Sequence, residues 1–155
     1  MRVQDLMSQP AVTCDVNDTA STAAHLMWEH DCGMIAVVRD DGRLAGVVTD
    51  RDLCMAAFTQ GRPLDEILVN STMAQHVVTA TPDLEIIEAE QRMAEHRVRR
   101  LPVVDGDGKP IGVIAINDLA IECVQPDTRM TRGPLQVAHT LAAICAHRST
   151  GQVAA

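Results

Sequence analysis

Gly46, Thr49 and Asp52 recur at three-residue spacing in Gly46-Val47-Val48-Thr49-Asp50-Arg51-Asp52-Leu53, and together they carry the parts of a site for a sugar phosphate. A glycine lets backbone approach a ligand with no side chain between, and a threonine hydroxyl where a helix begins can donate to a phosphate. Free N–H groups near Arg51, the positive end of the helix dipole and the Arg51 guanidinium can hold an anion jointly. Asp52 is spaced to turn back toward the same place and accept hydrogen bonds from two neighbouring ribose hydroxyls. The same residues also read as a helix cap, since Thr49-x-x-Asp52 is close to a capping box, although that pattern favours Glu or Gln at its last position. Both readings stand at this point.

A second copy of the segment, Gly112-Val113-Ile114-Ala115-Ile116-Asn117-Asp118, keeps the glycine and the aspartate but has Ala115 where the hydroxyl should be. Asn117 then reads as an N-cap, and Asp118 serves either ribose or the helix terminus. Arg97, Arg99 and Arg100 lie within four positions, as a solvated loop start or as an electropositive rim facing phosphates. Strand alternation sends Arg99 and Arg100 to opposite sides, and an inward Arg100 would compensate for Ala115. Two unequal clefts are expected.

The remaining reactive side chains make no catalytic case. His30 and His96 occupy equivalent positions at helix ends, where a cation is favourable. No Ser-His-Asp or Cys-His arrangement has a recognisable spacing. Cys14, Cys32, Cys54, Cys123 and Cys145 include no C-x-x-C, and in a reducing compartment they read as small buried apolar residues. Cys145-x-His147 is a close thiol–imidazole pair without identifiable further ligands, so no metal site is expected.

The elements that must position these residues come in two copies. Residues 3–53 align without a gap on residues 69–119, an offset of 66, with sixteen identities that run from Val3/Val69 and Met7/Met73 to Asp52/Asp118 and Leu53/Leu119. Each copy opens on a β-branched run, Val12-Thr13 or Val77-Val78-Thr79, followed by helix-start chemistry at Asn17-Asp18-Thr19 or Thr81-Pro82-Asp83. Ala20, Ala23, Ala24 and Met27, and in copy two Ile86, Ala89, Glu90 and Met93, follow helical spacing. Two apolar runs around Asp41-Gly42, and two around Asp107-Gly108, predict hairpins. Helices from Arg51 to about Thr59 and from Asn117 to about Cys123 close the copies.

The order is β-α-β-β-α, twice, an α/β (α+β) fold with boundaries at 1–62 and 63–125. A unit of about 50 residues exposes too much apolar surface to stand alone, so the copies should pack face to face about a pseudo-two-fold axis and leave two clefts. Residues 126–155 form a C-terminal segment in which Gly133-Pro134 introduces an amphipathic helix over about 135–148, with a frayed end after Ser149. That helix covers its own pair or helps a second subunit dock.

Composition bounds the rest. The 155 residues are 46% hydrophobic with one Trp, one Phe and no Tyr, so the core is built from Val, Ile, Leu, Met and Ala. A formal charge of −8 argues against broad nucleic-acid or anionic-membrane binding, and the absence of a long apolar run or signal-peptide start predicts a cytoplasmic protein.

This layout resembles the CBS-domain family over residues 1–125. The resemblance rests on the repeat, the hairpins, the Gly-x-x-Thr-x-x-Asp segment at Gly46, Thr49 and Asp52, and His96-Arg97-Val98-Arg99-Arg100-Leu101-Pro102-Val103-Val104 in copy two. It implies a non-catalytic regulatory pair that binds adenosine-containing ligands such as AMP, ADP, ATP or S-adenosylmethionine, needs no cofactor, and forms a homodimer. By that analogy one site takes adenine on Val12, Thr13, Met34 and Ile35 and phosphate and ribose on Gly46, Thr49, Asp50, Arg51 and Asp52. The other, weaker site uses Thr79, Arg99, Arg100, Gly112, Asn117 and Asp118. With no enzyme or channel attached, the chain looks like the stand-alone bacterial members, including the hypoxic response type. A regulated protein partner is implied but not identified, and a ligand-free homodimeric interaction protein of stress-response type is the alternative.

Overall fold

A computed structural model describes residues 1–124 and 134–145. In the first repeat β1 (Thr13–Asp15), α1 (Ala20–Glu29), β2 (Met34–Val38), β3 (Leu44–Thr49) and α2 (Asp50–Gln60) follow in that order. The second repeat supplies α3 (Ile86–His96), β4 (Arg100–Val104), β5 (Pro110–Ala115) and α4 (Ile116–Val124). The turn residues act as their chemistry requires: Gly42 and Gly108 take φ of 78° and 80°, which only glycine adopts without strain, and each closes its hairpin. The antiparallel registers Met34↔Thr49 and Arg100↔Ala115 are pseudo-equivalent. Both ladders slip at the same place, after Val37 and after Val103.

Helix periodicity places the core. Thr19 caps α1 by accepting from the Thr22 N–H, and Ala20, Ala23 and Met27 turn inward. In α3 the buried face is Ile86, Ala89, Glu90 and Met93. α2 ends where Gly61 enters the left-handed region at φ 62°.

The second repeat departs from the expected order at its first strand. β1 pairs with β2 in parallel over Thr13–Asp15, but residues 77–79 form no strand, and only the bridge Ala80↔Val103 remains. Proline explains the loss. In copy one the Ala36 N–H donates to Val12 O and the Val16 N–H to Val38 O. Their counterparts are Pro102 and Pro82, which have no N–H to give. The two bonds that survive, Ala80 N–H to Pro102 O and Val104 N–H to Ala80 O, are both 2.9 Å.

The segment ahead of each repeat packs into the other repeat. Val3 lies in the core of the second repeat with Met93, Leu101 and Ile114, whereas Ile67 and Val69 lie in the core of the first with Ile35 and Val48. Val3 and Val69 are both fully buried, and each stabilises the foreign core by about 2 kcal/mol. The exchange is held by backbone: Ser8 and Val113 trade two hydrogen bonds of 2.9 and 3.0 Å, and Ala74 and Val47 trade the equivalent pair at 2.9 and 3.0 Å. Residues 8–13 therefore begin against β5 and end in β1, bridging the two sheets.

The C-terminal helix α5 (Pro134–Cys145) packs against α3 and α4, and its Val137 and Ile144 join the second core. It covers its own pair, one of the two roles open to it. Residues 146–148 of its expected span, the break at 125–133 and the end after 149 lie outside the described residues. Among the described residues the first repeat has no such cover: Trp28 on α1 and Phe58 on α2, the chain's sole Trp and Phe, are 86% and 80% exposed. Among the described residues no helix is long and apolar enough to cross a membrane.

Candidate functional site

The bridging segment roofs a cleft of about 700 Å³ between the repeats. One wall comes from copy one: Val12 and Thr13, Leu26 and His30 at the end of α1, the turn Asp31-Cys32-Gly33, and Met34 at the start of β2. The other comes from copy two: Arg100, Val113 and Ala115 on the hairpin, and Asn117 and Asp118 at the start of α4. Ser8, Gln9, Pro10 and Ala11 close it above. The volume suits a nucleoside-sized ligand, with apolar surface at one side and a carboxylate at the other.

Asp118 is set by local structure. Its Oδ2 accepts from the Ala115 N–H at 2.7 Å, which fixes the carboxylate at the α4 N-terminus and leaves its second oxygen for the cleft. Burial raises its carboxyl above the ordinary carboxylate range, against the opposing pull of the Ala115 N–H and of Arg100. Arg100 does point inward, opposite Ala115 in the register, and lines the cleft. Its guanidinium also stands beside Gly33 and the Asp50 carboxylate: a Cβ on Gly33 would meet Asp50 Oδ2 at 3.1 Å and Arg100 Nη2 at 3.3 Å.

The structure thus regroups the residues expected from sequence. Val12, Thr13 and Met34 share a cleft with Arg100, Asn117 and Asp118, and not with Thr49 and Asp52. Ile35 does not line this cleft; it is fully buried in the first core, because adjacent strand residues face opposite sides. Asp50 lines a neighbouring cavity of about 440 Å³ with Trp28, Cys32, Gly33 and Arg100. Gly46 and Gly112 give the exchanged segments room to approach. A Cβ on Gly46 would lie 2.6 Å from Ala74 O, and one on Gly112 would lie 2.7 Å from Ser8 O.

Thr49 and Asp52 form the capping box. The Thr49 N–H and hydroxyl both donate to Asp52 Oδ2, at 2.9 and 2.7 Å, and the Asp52 N–H donates to Thr49 Oγ1 at 3.2 Å. These bonds need no ligand. Arg51 is exposed, as is Arg99, whose carbonyl accepts from the Ile116 N–H at the start of α4. Thr79 is occupied from the side: its carbonyl accepts from Arg92 Nη1 at 2.7 Å.

Sequence reasoning missed residues 8–11, Leu26, His30, the Asp31–Gly33 turn, Val113 and Ala115 as cleft lining. One signal was available. The identities Val3/Val69 and Met7/Met73 precede the first strand of each copy, so these leading segments had a structural task of their own.

Comparison with known proteins bears on the same geometry. A family model described as CBS domain matches residues 3–58 and 65–124. YhcV of Bacillus subtilis, a CBS domain-containing protein, is 38% identical over 119 residues, 77% of this chain and 83% of its own. The CBS domain pair of protein MJ0100, solved in complex with 5′-methylthioadenosine and S-adenosyl-L-methionine, superposes with a TM-score of 0.69 at 25% identity, covering 78% of this chain and 98% of that one. Hypoxic Response Protein I, solved with two coordinated zinc ions, gives 0.70 at 27% identity over 78% and 98%. The chain spans 60%, 83% and 53% of the length of three curated relatives it matches.

Proposed function

The chain belongs to the CBS-domain family, and from that premise we propose that it is a non-catalytic regulatory module whose inter-repeat cleft binds an adenosine-containing ligand, of the AMP, ADP, ATP or S-adenosylmethionine class. The observation that carries this reading is the meeting of Asp118 with the apolar surface of Val12 and Met34 in one cleft of about 700 Å³. Asp118 accepts from the ribose hydroxyls with the oxygen its helix cap leaves over, and the base lies against Val12, Thr13 and Met34. Support comes from the MJ0100 pair, whose ligands are adenosine compounds. Ligand occupancy is read out as a change in shape or stability and not as turnover.

The module works as a homodimer. The supporting feature is the first repeat's helical face, where Trp28, Met55 and Phe58 are exposed while α5 packs on the helices of the second repeat.

Calorimetric titration of the intact chain tests the site. Asp118→Asn keeps an acceptor for the Ala115 N–H and so keeps the fold, and it lowers affinity for the adenosine ligand at least about tenfold. Asp52→Asn, outside this cleft, leaves that affinity within about twofold. The opposite order of sensitivity would move the site to the Thr49–Asp52 helix end. A second reading, a ligand-free interaction protein, draws on the capping box that Thr49 and Asp52 complete by themselves. It is chosen if none of the adenosine ligands shifts the melting temperature at millimolar concentration.

A further inference from the structure

The charge on the cleft walls says which adenosine compounds it admits. Two carboxylates, Asp31 and Asp118, face one guanidinium, Arg100, so these three side chains carry one net negative formal charge. Arg100 has the Asp50 carboxylate near it, on the far side of Gly33, and its charge also acts on the Asp118 carboxyl, with no ion pair to either within 4.0 Å. The α4 N-terminus, a place that elsewhere attracts phosphate, is already taken by the Asp118 carboxylate at 2.7 Å from the Ala115 N–H. No hydroxyl stands at Ala115, the position where copy one has Thr49.

The same chain carries the reverse arrangement at the pseudo-equivalent positions. Leu26, Asp31, Gly33 and Asn117 correspond to Arg92, Arg97, Arg99 and Arg51. At one of these pairs the backbone is alike in an uncommon conformation: Asp31 and Arg97 are both left-handed, at φ 47° and 54°. One fold unit therefore accepts either sign of charge there, and the cleft described above has the negative version.

We propose that this cleft selects an adenosine-type nucleoside whose 5′ substituent carries no negative charge, neutral or cationic, and discriminates against nucleotides more strongly as phosphates are added. This rests on reading the cleft as an adenosine-ligand site. A phosphate in the cleft is repelled by the exposed Asp31 and by the half-buried Asp118, beside which each unit charge weighs more than in bulk water. A thioether meets no such opposition, and a sulfonium is attracted.

The test is calorimetry on the full chain at fixed ionic strength with 5′-methylthioadenosine, S-adenosylmethionine, AMP and ATP. Each titration is read as the part lost in Asp118→Asn, which confines it to this cleft. The expected order puts 5′-methylthioadenosine or S-adenosylmethionine at least about tenfold tighter than AMP, with ATP weaker still. The double variant Asp31→Arg with Asn117→Arg takes its side chains from the other repeat and changes the cleft from one net negative charge to two net positive ones. It should raise the AMP affinity relative to 5′-methylthioadenosine at least about tenfold. Asn117→Arg alone, at an exposed position, should give a smaller shift in the same direction and serves if the double variant does not fold.

AMP or ATP binding the unaltered chain as tightly as 5′-methylthioadenosine overturns the selectivity and leaves the site standing. So does a folded variant whose affinity ratio does not move. Failure of all four compounds to bind removes the adenosine site itself, and the selectivity with it.

Discussion

Gly112→Ala tests the exchange of segments that roofs the cleft. The added Cβ would sit 2.7 Å from Ser8 O and 3.0 Å from Met7 Sδ. An ordinary carbon–oxygen contact is about 3.3 Å or longer, so the Ser8 backbone must retreat by about 0.6 Å. That retreat stretches the paired bonds between Ser8 and Val113, now 2.9 and 3.0 Å, to the limit at which they still count. Two weakened bonds at about 1 kcal/mol each and about 1–3 kcal/mol of overpacking, less about 0.5 kcal/mol for replacing glycine within a strand, give a loss of about 2.5–4.5 kcal/mol. For a chain of this size that lowers the melting temperature by about 5–15 °C.

The assay is urea unfolding followed by circular dichroism, with two companions. Gly46→Ala, whose Cβ would meet Ala74 O at 2.6 Å, should cost as much or more. Gly106→Ala, with nothing within 4 Å, should cost almost nothing. If Gly112→Ala fell within about 0.5 kcal/mol of Gly106→Ala, the close seating of the leading segment on β5 would be refuted. Ser8 and Val113 also line the cleft, so the same variant should weaken ligand binding while Gly46→Ala weakens it less.

The remaining expectations are briefer. Because burial raises the Asp118 carboxyl above its ordinary 3.8, the folded state holds that proton more firmly than the unfolded chain does. Its contribution to stability is complete below pH 3.8 and declines as pH rises through the raised value. Asp118→Asn should therefore melt higher than the unaltered chain at pH 7 by a margin that closes toward pH 3, and a variant that melts lower at pH 7 contradicts this. Thr49→Ala removes a cap and should cost about 1 kcal/mol in unfolding experiments without changing ligand affinity in the cleft. Phe58→Asp should shift sedimentation toward the monomer, since Phe58 is 80% exposed on the uncovered helical face; an unchanged profile excludes that face from the dimer. Burial, with Asp18 and Asp15 nearby, pushes the Cys14 thiol up to about 12, so at pH 8 a thiol reagent should label exposed Cys54 and spare Cys14 until the chain unfolds.

What the sequence determined by itself is whatever depends on a few consecutive residues. Asp41-Gly42 and Asp107-Gly108 set the hairpins because a left-handed glycine closes them, and the apolar spacing in Ala20–Met27 and Ile86–Met93 sets which helix faces turn inward. The duplication was legible for the same reason, as like residues at a constant offset. Even the missing strand at 77–79 was written in Pro82 and Pro102, two positions that cannot donate a hydrogen bond.

The tertiary structure decided which halves of the two motifs meet. Thr13 and Met34 face Asp118 and not Asp52, because the chain enters from the opposite repeat: residues 8–11 lie against β5 before β1 joins β2. Gly46 and Gly112 make room for that crossing, and Thr49 and Asp52 bond to each other. Spacing along a chain constrains neighbours on one element, whereas a cleft between repeats is made by groups far apart in sequence, and their pairing follows only from how two cores exchange their leading segments.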